Sequence, residues 1–199
     1  MDFLSLITIV KILHLSGLIM GLGGAVLADF TILTYGVVRP VNWFTVFQTE
    51  FLSKVVIAGL LVLWVTGLSL VLIKYTQRPD SITDQKLWAK AFIVVVLTTN
   101  GFLVHRHVLP RVSKSLGNRI FDGLRTRQTA GMTLLGSLSC TSWFTAFVLG
   151  KATELSHATP MWKIVLSYIL CVLLVWLGIF LIITAIRRIQ ELALESATS

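Results

Sequence analysis

The feature that most constrains this chain is a series of apolar runs, each at least as long as a bilayer is thick. A helix needs roughly 20 mostly apolar residues to cross the hydrocarbon. Five stretches meet that length: residues 4–37, 47–75, 86–108, 129–150 and 162–186. Composition agrees with them. Of 199 residues, 55% are hydrophobic and 13% charged, and the mean hydropathy is +0.85. A soluble domain carries roughly 25% charged residues. The expected fold is therefore all-α: one polytopic transmembrane bundle of about five spans, with short linkers, no sequence repeat and no soluble domain. The first run lacks a basic leader and a small-x-small cleavage site and is too long for a signal peptide. It reads as a retained span.

The net charge of +8 is read as topology and lipid contact, not as affinity for nucleic acid. The linker between spans three and four carries Arg106, Arg111, Lys114, Arg119, Arg125 and Arg127 against Asp122, and Arg187 and Arg188 close the fifth span. Basic loops stay in the cytoplasm. The N-terminus near Asp2 is then outside and the C-terminus inside, as in a bacterial inner (plasma) membrane. The loops around Arg78–Pro79–Asp80 and Glu154–His157–Pro160 are external. Leu116, Ile120, Phe121 and Leu124 recur at helical spacing among the linker charges, which predicts an interfacial amphipathic helix over roughly 111–127. Cys140 and Cys171 lie inside apolar runs without disulfide or metal-site spacing, and read as small buried residues.

Titratable groups at membrane depth cost roughly 2.5–3.5 kcal/mol on insertion scales. Here they are Lys11, His14, Asp29, Glu50, Lys54, Lys90 and His105. On a helix His14 shares one face with Gly17, Gly21, Gly24 and Ala28. Such a stripe has two readings. It lets a neighbouring helix approach closely, with His14 hydrogen-bonded to that span. Or it is a slot for a flat ligand, with the imidazole as axial ligand to a haem iron. Lys90 falls in the same outer half of the membrane, either snorkelling or facing an acidic group of a ligand. Gly101 and His105 share its helix face. His105 lies roughly 10–15 Å from the height of His14, so one iron does not readily take both. His105-Arg106-His107 reads as an interfacial basic cluster, with a second ligand or second site at His105 as the sharper alternative.

Asp29 and Lys54 both fall in the inner half and are candidates for a buried ion pair, with Glu50 one turn from Lys54. A proton path is the alternative for this trio. The fourth span, rich in Gly, Ser, Thr and Cys, is expected inside the bundle. No Ser–His–Asp set, zinc motif or phosphate loop is present.

Lys11-Ile12-Leu13-His14 resembles the opening of the HemJ-type protoporphyrinogen oxidases and their CopD-like membrane relatives. Gly24 matches the family's glycine about ten residues after the histidine. Phe47, Glu50 and Gly67 in the second run, and Trp88 with Lys90 in the third, resemble the family pattern in order. The resemblance covers about the first 110 residues. It implies a haem b-binding helical bundle, with His14 on the iron, Lys90 as the second functional position, and Lys11, Gly17, Gly21 and Gly24 around the cofactor. The implied function is redox, by electron transfer within the membrane or oxidation of a small reductant, with a redox partner or a homo-oligomer. The chain departs from the family in having five spans rather than four. It also has Ala28 and Asp29 where the family has proline and arginine, and Gly101 where the family has a histidine. Ion or copper transport is the competing class, although Met20, Met132 and Met161 form no soft-ligand motif. A non-catalytic subunit of a larger membrane complex is the third.

Overall fold

The computed structural model describes residues 3–151 and 160–198, and those residues are helical almost throughout. Six α-helices follow in order: α1 (Phe3–Val37), α2 (Trp43–Gln77), α3 (Gln85–Leu103), α4 (Leu109–Lys114), α5 (Thr126–Lys151) and α6 (Met161–Thr198). A π-helical turn, Val104–Val108, joins α3 to α4, so that Gln85–Lys114 forms one span. Five helices are thus long and apolar enough to cross a membrane. The chain has the build of an integral membrane protein, with apolar outer faces suited to lipid. Asp2 and the loop around Glu154 and His157 lie outside the described residues.

Helix ends follow from local chemistry. Asn42 caps α2, its Oδ1 accepting from the Thr45 amide and hydroxyl at 2.8 Å each. Asp84 caps α3 by accepting from the Lys86 amide at 3.0 Å, and its carboxylate meets Lys74 at 3.6 Å. The π-turn has a cause in sequence. Pro110 has no amide to offer the Arg106 carbonyl, and the helix widens so that the Leu109 amide reaches back to Val104.

Packing places α5 at the centre. Of its most apolar window 33% is buried, against 11–22% for the other four spans. As the composition of this helix predicts, its hydroxyls bond their own backbone: Thr133 to Thr129, Ser137 to Thr133 and Thr145 to Thr141. Trp143 is fully buried and joins α1, α2 and α3 through Leu18, Leu63 and Leu97. Tyr168 of α6 exchanges a hydrogen bond with Ser142 at 2.8 Å.

The basic linker corrects the expectation of an interfacial helix over 111–127. The helix stops at Lys114, and residues 115–125 form turns. Gly117 (φ +81°) and Gly123 (φ +69°) take a left-handed backbone that costs other residues roughly 1–2 kcal/mol. Ile120 and Phe121 are not lipid-facing; they are buried at 0% and 2% exposure. What displaces the helix is the open end of α1. The last carbonyls of a helix have no partner within it. Here the Ile120 amide donates to Tyr35 at 3.0 Å and Phe121 to Gly36 at 3.4 Å, and the Gln190 side chain of α6 donates to Val37 at 3.1 Å. Val41 and Asn118 add a further backbone bond at 2.9 Å. Arg111 braces the loop through the Ile120 and Asp122 carbonyls, and Arg187 through Thr129 and Leu124. A side chain at Gly36 would run into the Phe121 ring.

Candidate functional site

His14 stands one turn above Leu18 on α1 and faces α2. Its Nδ1 lies 2.8 Å from Thr66 Oγ1. That hydroxyl has one hydrogen, and it goes to the Val62 carbonyl at 2.5 Å. Thr66 therefore accepts from His14, and the ring carries its proton on Nδ1. The lone pair is left on Nε2. Gly67 leaves room beside the ring: a Cβ there would stand 3.5 Å from His14 Cε1. Lys90 of α3 is half-buried. Lys11, one turn before His14, is exposed.

The glycine stripe below His14 is closed. A Cβ on Gly17 would stand 2.9 Å from Val62 Cγ1 and 3.0 Å from the Gly59 carbonyl. One on Gly24 would meet Val56 at 3.0 Å, and one on Gly21 would fall within the Trp143 indole. From the other side, a Cβ on Gly59 would stand 2.7 Å from the Gly21 amide nitrogen. Of the two sequence readings of the stripe, this is helix packing. Of the residues in the stripe, His14 is the one that would hold a haem iron, since its ring is oriented by the contact with Thr66. Gly17, Gly21 and Gly24 do not fit the face of a macrocycle, because α2 and Trp143 occupy that space.

Asp29 and Lys54 do not meet. Lys74 and Asp84 do form an ion pair, at the other end of α2. Asp29 turns to α5, with Oδ1 3.7 Å from where a Cβ of Gly136 would stand and Oδ2 buried without a hydrogen bond. Lys54 lies on the face of α2 turned away from α1, some 140° round from Gly59 at 100° per residue. Sequence spacing gives depth but not the facing of two helices, so the pair looked feasible.

Lys54 instead borders a cleft of about 320 Å³ lined by Glu50, Ser53, Lys54 and Ile57 of α2, His105 of the π-turn, and Leu109, Pro110 and Ser113 of α4. His105 is exposed. Thr66 and Lys54 are 12 residues apart on α2, roughly 18 Å along the helix, so the two histidines serve opposite ends of the bundle. Among the described residues no group of three or more His, Cys, Asp or Glu side chains gathers as a metal site.

Sequence reasoning missed Thr66, the partner that defines the His14 tautomer. Its signal was a hydroxyl in an apolar run that holds only Thr66 and Ser69 between Lys54 and Lys74. It also missed Asn100, whose Nδ2 donates to the Leu135 carbonyl of α5 at 3.1 Å while its Oδ1 is buried without a partner. Comparison with family models, with curated proteins and with solved structures finds no match in any of the three.

Proposed function

We propose that the chain is a haem b-binding redox protein of a bacterial plasma membrane, N-terminus outside and C-terminus in the cytoplasm. It passes electrons within the bilayer or oxidises a small reductant. One observation carries this reading: His14 Nδ1 lies 2.8 Å from Thr66 Oγ1, whose own hydrogen goes to the Val62 carbonyl, an arrangement that orients the ring and suits the tautomer with Nε2 as the free acceptor. A ligand nitrogen held in this way is more basic and better directed than a freely rotating ring. Lys90 and Lys11 supply positive charge for the acidic substituents of a tetrapyrrole. Bound haem would supply one-electron chemistry, with His14 holding the iron and Lys90 and Lys11 supplying positive charge. The proposed set is His14, Lys90 and Lys11, without the three glycines. The orientation follows from the basic residues of the linker over 106–127 and from Arg187 and Arg188.

The full chain, expressed with haem supply and purified in detergent, is expected to show a Soret band. His14→Ala abolishes it, Thr66→Val shifts or weakens it, and His105→Ala leaves it unchanged. A preparation that stays colourless overturns the reading.

A second reading, passage of a proton or small cation, rests on Asp29. Asp29 Oδ2, Asn100 Oδ1 and Thr141 Oγ1 are all buried without hydrogen-bond partners, and Asp29 and Asn100 flank α5 at the level of Leu135 and Gly136. Unpaired polar groups inside a span mark ion paths. Flux into proteoliposomes that disappears in Asp29→Asn would favour it over the haem reading.

A further inference from the structure

The cleft between α2 and α4 is chemically unlike the rest of the surface. Glu50, Lys54 and His105 are all exposed. They stand on the same flank of the bundle as Phe47, Phe51, Ile57 and Leu61, which are 45–67% exposed and suited to lipid. Glu50 lies seven residues into α2 and Lys54 eleven, roughly 10 and 16 Å from the start of the helix. Helix α2 has 35 residues, roughly 52 Å against a hydrocarbon core of roughly 30 Å, so both side chains stand near the boundary between core and headgroups. Glu50 and Lys54, one turn apart, are not joined by an ion pair. The Ser113 hydroxyl donates to the Leu109 carbonyl at 3.3 Å and so presents its oxygen outward as an acceptor.

The cleft therefore offers a cation, an imidazole and hydroxyls beside a carboxylate, at the head of an apolar row. Ile57, Leu61 and Leu68 continue that row along the same face of α2, exposed at 45%, 60% and 56%. A volume of about 320 Å³ is at the small end of ligand sites. A lone anion would meet the Glu50 carboxylate, and a lone cation would meet Lys54. A ligand carrying phosphate and amine a few bonds apart satisfies both.

We propose that this cleft binds the headgroup of an aminophospholipid of the phosphatidylethanolamine class. Lys54 and the His105 ring N–H contact the phosphate. Glu50 accepts from the ammonium, and an acyl chain lies along Ile57, Leu61 and Leu68. The π-turn matters to this site because it carries His105 to the cleft edge; such turns are frequent at functional sites. The proposal does not depend on His14 or on haem.

The test is the thermal midpoint of the full chain in detergent micelles, titrated separately with phosphatidylethanolamine, phosphatidylglycerol, phosphatidylcholine and inorganic phosphate. The expected result is a saturable rise with phosphatidylethanolamine alone. Glu50→Gln and Lys54→Gln each weaken the apparent affinity by about tenfold, as loss of a charge-assisted hydrogen bond does. Ile57→Ala serves as a milder variant if Lys54→Gln does not fold. An equal rise with phosphatidylglycerol or phosphatidylcholine overturns the role of the amine. A rise with inorganic phosphate makes this an anion site rather than a lipid site. No rise with phosphatidylethanolamine, or a rise unchanged in Glu50→Gln, overturns the proposal outright.

Discussion

The two faces of α2 solve the same problem in opposite ways. Toward α1, Gly59 sits against Gly21, Val62 against Gly17, and Thr66 is hydrogen-bonded to His14. Polar groups there are paired within the protein. On the opposite face, Glu50 and Lys54 are exposed and border an open cleft. The difference lies in backbone approach. Glycine against glycine brings two helices close enough for one short hydroxyl to reach an imidazole. Where Glu50 and Lys54 face α4, a cleft is left between the two helices. A membrane helix thus separates its structural face from its binding face by residue size before polarity.

The closed face is the one that mutation damages most. Trp143→Ala removes the indole that fills the space over Gly21, and is expected to cost about 3–5 kcal/mol, read by equilibrium unfolding in mixed micelles. Gly59→Ala puts a methyl group against the Gly21 backbone, which has no side chain to move aside. A loss of about 1–3 kcal/mol is expected in the same assay. If Gly59→Ala is neutral, the seam is not closed and the glycine stripe regains its reading as a slot. Thr66→Val keeps the shape but removes the acceptor for His14, at about 1 kcal/mol; an imidazole nitrogen signal that changes tautomer by NMR would sharpen the assignment. On the open face, Ile57→Ala is expected to stay within about 0.5 kcal/mol without added lipid. A larger loss there would erase the contrast between the two faces.

Much of the fold was legible in sequence because a bilayer imposes a minimum apolar length. The run read as 47–75 is the helix Trp43–Gln77, and 129–150 is Thr126–Lys151. What was not legible is how the helices face one another. Periodicity puts Gly17, Gly21 and Gly24 on one stripe, but nothing in α1 says that Gly59 and Trp143 will fill it. For the same reason Asp29 and Lys54, similar in depth, looked like partners. The linker misled differently. Leu116, Ile120, Phe121 and Leu124 do have helical spacing, yet Gly117 and Gly123 mark the turns that the structure uses. The apolar residues of the linker are consumed by the end of α1, a demand that comes from 85 residues away, Tyr35 to Ile120. His14 stands out in sequence by its chemistry; Thr66 does not, because hydroxyls in a span are ordinary.

The closure of α1 also sets a schedule. Its glycine seam with α2 is local and forms as soon as the first two spans have been made. Its terminal carbonyls wait for Ile120 and Phe121, and the last of them for Gln190, 153 residues after Val37. At roughly 5–20 residues per second this is an interval of about 10–30 s. During biosynthesis the hairpin of the first two spans therefore sits in the membrane with one end unfinished. The bundle is sealed only when the final helix arrives.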